Sequence, residues 1–300
     1  MKNLDNKPNA LIWIMASRPC LKLALELLDK NFNHQYQYPV LVTTFGKQYS
    51  QRFIRKIRER DPKIKFLELA KPKIPAQIKE EELFYNRKEI NYVKKSFPKS
   101  RIGFLHTNQF VAGLAMEFPE ISKYDYVLKM DDDHFFIKNP GFDLFKFMAD
   151  NKYKFGAFSV EKNDSERQRE CQIGLRELAK EYLRENNLWP QSRSLDKQGN
   201  WDSRISRDPT IWAMDIFKNQ NWRNWWNKVN LSGGIYKYRW GDLEIHALYL
   251  RMYYPDSVWH DFDFYNQGII KHGGQGVVHW SKTLKKLQSL KRLLWRKKYY

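Results

Sequence analysis

The densest chemistry in this sequence is Lys129-Met130-Asp131-Asp132-Asp133-His134, three adjacent carboxylates behind an apolar, β-rich run over residues 124–130. Neighbouring carboxylates repel one another, so such a cluster costs stability unless it is solvated or holds a cation. Phe135, Phe136 and Ile137 follow it, which argues against free solvation. Side chains alternate along an extended segment, so Asp131 and Asp133 converge on one site while Asp132 turns aside. Oxygen ligands of this kind suit Mg2+ or Mn2+, which leave coordination positions for phosphate oxygens. The chemistry that calls for such a metal is departure of a nucleoside diphosphate, as in nucleotide-sugar transfer, where growing negative charge must be stabilised. The bland alternative is an acidic turn on the surface.

Two later features add to this. Four of the seven histidines, His246, His260, His272 and His279, fall in the last quarter of the chain. A histidine arriving from there would complete a mixed oxygen and nitrogen site suited to Mn2+. His272 and His279 flank a loop with Gly273, Gly274 and Gly276, where backbone can approach a phosphate closely. One of the two is the expected ligand, with His272 preferred. The second feature runs from Gly233-Gly234 through Tyr236, Tyr238, Arg239 and Trp240 to Gly241-Asp242. Aromatic faces suit sugar rings and a carboxylate suits their hydroxyls. Alternatively the aromatics fill the core and Asp242 caps a helix. His246 lies four residues beyond Asp242, on the same helical face.

The elements that must position these residues read as α/β. Residues 10–15, 39–44, 65–69 and 124–130 have strand character, and helical patterns occupy 19–28, 48–60 and 108–116 between them. That alternation predicts a mainly parallel sheet covered by helices, with ligands beyond the carboxyl ends of its strands. Residues 151–200 read as a polar insertion with one long helix over 167–185. Helices are expected over 218–230 and 241–253, and a strand over 258–264. We expect one Rossmann-like domain over 1–280 and a basic tail over 281–300, since no linker rich in Pro, Gly or Ser divides the chain.

Composition narrows the partners. The apolar fraction of 42% excludes a disordered chain, and two cysteines, Cys20 and Cys171, exclude both a disulfide framework and a Cys-rich zinc site. The net charge of +19 calls for an anion. Eight Lys or Arg and no acid fall in residues 281–300, leaving +11 elsewhere. There Leu284, Leu287, Leu290 and Leu294 recur at helical spacing among the basic residues. This suits peripheral contact with an anionic membrane as well as it suits a solvated terminal helix. Nucleic acid is not expected: no binding motif occurs, and the acidic cluster would repel phosphate unless metal-bound. No run approaches the length of a membrane span or a signal-peptide core, so a cytoplasmic protein, peripheral at most on a membrane, is the expectation.

These residues resemble the fungal α-1,2-mannosyltransferases of glycosyltransferase family 15. Residues 31–39, Asn-Phe-Asn-His-Gln-Tyr-Gln-Tyr-Pro, are similar to the family's R-F-N-H-x-x-x-Y-P segment. Gly233-Gly234-Ile235-Tyr236, then Arg239-Trp240-Gly241-Asp242 and His246, resemble G-G-F-Y-x-x-R-W-G-D-x-x-x-H, and His260 fits the histidine opening the next strand. His106, Phe110, Gly113 and Pro119 match the run before the metal strand, and Asp131-Asp132-Asp133 stands where the family has Glu-Pro-Asp. The resemblance implies a GT-A fold, Mn2+ dependence, GDP-mannose as donor, a glycan, glycoprotein or glycolipid acceptor, and retention of α configuration. It implies that Asp131 and Asp133 hold metal and nucleotide, that Arg18 and His106 lie on the nucleotide side, and that Asp242 lies in the acceptor and catalytic pocket. Phe104, Trp212, Arg239, Trp240 and His246 are then expected around the substrate.

The departures are specific. Thr210, in Asp208-Pro209-Thr210-Ile211-Trp212, stands at the catalytic position of a family glutamate, and Phe104 stands for a family tyrosine. His272 aligns with the family's metal histidine only through a three-residue insertion. The family's amino-terminal membrane anchor has no counterpart in these residues. Threonine cannot act as a carboxylate nucleophile at neutral pH, which favours same-face attack with the leaving phosphate taking the acceptor proton. Two alternatives are a non-catalytic relative that binds glycan or nucleotide, and a transferase using another nucleotide sugar.

Overall fold

The structure is a computed structural model that describes residues 7–87, 102–162, 169–201, 204–206 and 208–273. His279 and the basic tail lie outside the described residues. In chain order the strands are β1 (Ala10–Met15), β2 (Val40–Phe45), β3 (Ile64–Leu69), β4 (Tyr126–Asp131), β5 (His134–Phe136), β6 (Phe155–Ala157), β7 (Val160–Lys162), β8 (Arg204–Ser206), β9 (Thr210–Ala213), β10 (Trp259–Asp261) and β11 (Ile270–His272). Seven of them form one sheet in the order β10-β6-β9-β4-β1-β2-β3. Its neighbours pair in parallel except around β9, which runs antiparallel to both β4 and β6. Two small antiparallel pairs, β5 with β11 and β7 with β8, complete the pairing.

β1 and β2 are buried at every residue, as strands covered on both faces require. Period-two alternation then sorts the side chains into two cores. Leu11, Trp13, Met15, Val127 and Trp212 face the helices Ile102–Ala112, Gln220–Ser232 and Asp242–Tyr253. Ile12, Ile14, Leu128, Met130 and Ile211 face the helices Leu21–Leu28 and Leu144–Asp150.

From β1 the chain steps outward to β2 and β3, then returns to place β4 on the other side of β1. The carboxyl ends of β1 and β4 therefore flank a topological switch point, where open α/β sheets bind ligands. β4 ends at Asp131, and Ser17 and Arg18 follow β1 closely.

Several expected boundaries move. The strand expected over 258–264 is confined to β10, and the long helix over 167–185 has its regular part at Leu175–Glu185. The stretch expected as an insertion supplies β6 to the central sheet. β6 and β9 are too short, at three and four residues, to carry a readable period. The two adjacent glycines have different tasks. Gly233 ends the helix Gln220–Ser232 at φ +72°, whereas a Cβ on Gly234 would lie 2.3 Å from the Trp240 ring. Asp242 does not cap the following helix: Gly241 holds the cap position, and Asp242 is the first helical residue, where an acid suits the helix dipole.

Candidate active site

The three aspartates at the switch point face three ways. β4 ends at Asp131 and a turn follows before β5, so the extended geometry expected through Asp133 is interrupted. Alternation along β4 places Lys129 and Asp131 on the face carrying the helix Asp242–Tyr253. Asp132 is fully buried and binds the loop after β1: its Oδ2 accepts N–H bonds from Ser17 (3.0 Å) and Arg18 (2.6 Å). Burial pushes this carboxyl up to about 6, against the pull of those amides and of Arg18. Asp132 therefore fastens the end of β1 to the end of β4.

Asp133 looks toward β11. Pairing of β5 with β11 sets His272 opposite His134, and His272 Nε2 lies 3.2 Å from Asp133 Oδ2. His134 Nδ1 lies 3.5 Å from Asp133 Oδ1, and the two imidazoles stack with centroids 4.8 Å apart. One donor atom from each of Asp133, His134 and His272 falls within 4.8 Å of the others. His134 Nδ1 is buried with no hydrogen-bond partner among the described residues, and burial lowers this imidazole to about 4 despite the nearby aspartates. A neutral, unpartnered imidazole beside a carboxylate and a second imidazole is a donor set that fits Mn2+. Arg18 reaches over the rim: its Nη1 lies 3.1, 3.3 and 3.7 Å from Asp133, Asp132 and Asp131.

Asp131 belongs to a second constellation. Lys129 is almost wholly buried, and its Nζ lies 3.1 Å from Asp131 Oδ1, 2.5 Å from Asp208 Oδ2 and 3.9 Å from Asp242 Oδ2. Burial works against the ammonium, but Asp131, Asp208 and Asp242 outweigh it and hold Lys129 above the ordinary lysine range. One lysine does not serve three acids equally. Burial of Asp131 is offset by Lys129, His134 and Arg18, so its pKa falls, whereas burial of Asp208, with Asp131 and Asp242 adding repulsion, raises that carboxyl despite Lys129.

The remaining expected residues divide between surface and core. Trp212 is fully buried, packed edge-on against Trp13 and His246, and His246 is also buried, with Nε2 3.0 Å from Ala112 O. Trp240 is buried too and donates Nε1–H to Ile173 O at 2.8 Å. These three build the wall behind the site and present no open face to a substrate. Phe104 is exposed, with the Arg239 guanidinium 4.0 Å from its ring centroid. His106 is buried against the Tyr236 hydroxyl at 3.0 Å, and burial, with Lys71 nearby, lowers its pKa. Thr210 is fully buried opposite Lys129 in the β4–β9 register.

Lys129, Asp208 and His134 were not singled out from sequence. A readable signal existed for the first: a lysine inside the apolar strand Tyr-Val-Leu-Lys-Met-Asp cannot be buried without carboxylate partners.

This fold is that of the GT-A glycosyltransferases. The structure superposes on core-mannan synthase A (Ktr4) from Aspergillus fumigatus, solved in an Mn/GDP form, with a TM-score of 0.73 at 17% identity over 88% of this chain and 75% of that one. The mannosyltransferase Ktr4p of Saccharomyces cerevisiae, in complex with GDP, gives a TM-score of 0.73 at 19% identity over 85% and 69% of the two chains. Residues 1–272 match the glycolipid 2-alpha-mannosyltransferase family, and the chain belongs to that family. The probable mannosyltransferase KTR3 of S. cerevisiae is 25% identical over 63% of this chain, and the O-glycoside alpha-1,2-mannosyltransferase omh1 of Schizosaccharomyces pombe 22% identical over 84%. The chain spans 48% of KTR3 and 65% of omh1. No helix among the described residues is long and apolar enough to cross a membrane.

Proposed function

We propose that the protein transfers α-mannose from GDP-mannose to a glycan hydroxyl, in an α-1,2 linkage and with retention, using Mn2+ or Mg2+. The observation that carries the reading is the approach of His272 to Asp133, 3.2 Å apart at the switch point of the sheet in a chain of the glycolipid 2-alpha-mannosyltransferase family. Membership of a mannosyltransferase family and the Mn/GDP form of the A. fumigatus protein support the same donor and ion. Asp133, His134 and His272 would hold the ion, and Asp131 lies beside them at the end of β4. When bound, a divalent ion supplies neutralisation of the charge that develops on the departing diphosphate.

The chain's own groups do the rest. Asp132 holds the loop that carries Arg18, and Arg18 adds a positive charge at the mouth of the site, with its side chain 43% exposed. Asp242, at the start of its helix, accepts a hydrogen bond from an acceptor hydroxyl and orients it. The basic residues of 281–300 bring the enzyme to anionic membrane surfaces.

The test is donor turnover with Mn2+ across GDP-mannose, GDP-fucose, UDP-glucose and UDP-galactose. We expect release of GDP from GDP-mannose, lost in Asp133→Ala. Absence of turnover, or turnover indifferent to Asp133→Ala, refutes the proposal.

A further inference from the structure

By the resemblance, Thr210 stands where the family has a glutamate, which would leave the site one carboxylate short, yet the buried charge around Lys129 runs the other way. Three carboxylates, Asp131, Asp208 and Asp242, surround one ammonium. Asp131 has a second cation in Arg18 at 3.7 Å, but among the described residues Asp208 has Lys129 alone. Its Oδ2 takes the lysine, while its Oδ1 is buried without a hydrogen-bond partner among the described residues. The side chain keeps 13% of its surface open, as does that of Asp242, so both border the cleft. Its backbone is held in place by the Tyr265 hydroxyl, which donates to Asp208 O at 2.6 Å.

Thr210 supplies a second, independent indication. Residues paired directly across antiparallel strands project to the same face, so Thr210 projects to the Lys129 side. It is fully buried, and its hydroxyl has no partner among the described residues. An unpartnered hydroxyl and an unpartnered carboxylate oxygen, two residues apart, flank the same lysine. Surplus buried negative charge of this kind is stabilised when positive charge appears beside it.

We propose that Asp208, not Thr210, is the catalytic carboxylate that meets the transferring sugar, with Lys129 holding and aiming it. The inference rests on the glycosyltransferase reading above. In the transfer, the bond from the anomeric carbon to the β-phosphate oxygen breaks and its electron pair leaves with the diphosphate. The acceptor oxygen forms the new bond to that carbon, and the acceptor proton passes to the released diphosphate. Asp208 stabilises the positive charge on the sugar between these events, without forming a bond to it.

Asp208→Asn tests this, because it keeps the shape and removes the charge. With Mn2+, GDP-mannose and methyl α-mannoside, we expect kcat to fall about 100- to 1,000-fold while the donor KM stays within about threefold. GDP binding by calorimetry and the thermal midpoint should follow the wild type, and Asp208→Glu should recover part of kcat. A kcat within about threefold of wild type overturns the assignment. So does a fall in kcat matched by an equal loss of GDP binding, which marks a structural role. Wild-type turnover is measured first over the four donors named above. Turnover on another donor overturns only the GDP-mannose reading, and Asp208→Asn is then read on that donor; silence on all four overturns both.

Discussion

The two halves of the site contain the same kinds of residue and balance them differently. Toward β11, Asp132 and Asp133 face Arg18, two backbone amides and two imidazoles, and both Arg18 and His272 keep about two-fifths of their side-chain surface in solvent. Toward the helix Asp242–Tyr253, Asp131, Asp208 and Asp242 share one lysine whose side chain is 3% exposed. The first half has an exposed rim and is more nearly balanced, as the proposed binding of an ion and a diphosphate requires. The second is closed and carries surplus negative charge, which only a proton or a developing cation relieves. Removing the lone lysine charge should therefore cost folding free energy in the second half, whereas removing a carboxylate should cost ligand affinity in the first.

The sharpest way to break this contrast is Lys129→Met. It strands buried carboxylates, and loss of one partner from a buried ion pair costs about 3–5 kcal/mol. Denaturant unfolding should show a loss of that size, partly restored by adding Asp208→Asn. A loss below about 1 kcal/mol would mean that the cluster is more solvated than its burial implies. In the open half, Asp133→Ala should leave unfolding within about 1 kcal/mol of wild type but weaken Mn2+ binding, followed by calorimetry, by about 100-fold or more, with His272→Ala between about 10- and 100-fold. Equal effects on stability in both halves would erase the distinction.

A pH experiment separates charge from burial in the wall behind the closed half. Burial holds His246 down to about 4, so the folded state binds its proton later than the unfolded chain does. The stabilisation this brings is present above the ordinary histidine range, near pH 6.5, and is lost as pH falls toward 4. Unfolding free energy should fall by about 1.4 kcal/mol per pH unit across that window from this group. His246→Gln should remove about one proton from the pH slope. An unchanged slope would show that His246 titrates normally.

Much of the fold was legible because β1, β2 and β4 are continuous apolar runs alternating with helical spacing, and such runs mark a covered parallel sheet. β6 and β9 were not legible, since strands this short take their conformation from neighbours rather than from their own pattern. Within the site, the acidic cluster and His272 stood out by residue type. The separate directions of Asp131, Asp132 and Asp133 did not, because a turn after residue 131 breaks the alternation assumed from sequence. Nothing in Asp208-Pro209-Thr210 marks Asp208 by itself, because its proposed role depends on a lysine 79 positions earlier that only the β4–β9 register brings to it. Trp240 stands in a stretch suited to sugar rings and the resemblance sets Trp212 near the substrate, yet large apolar rings are more valuable to a core, where burial of each contributes about 2–3 kcal/mol or more.

The smallest expected effect concerns a cation of the same sign in a third setting. Arg239 lies over the exposed Phe104 ring at 4.0 Å, with its Nη1 3.5 Å from Cys171 Sγ. A cation–π contact open to solvent is worth about 0.5–1 kcal/mol, because water competes for the guanidinium and screens the ring quadrupole. Arg239→Gln should lower unfolding free energy by about that amount, and a double-mutant cycle with Phe104→Leu should return a coupling of the same size. A coupling of about 2 kcal/mol or more would place this pair in a drier environment than its exposure indicates and would align it with Lys129. A coupling near zero would leave Phe104 free to turn toward a ligand. Either way, Lys129 and Arg239 differ little in charge and greatly in access to water. The several-fold gap expected between their substitutions measures what burial adds to a single positive charge.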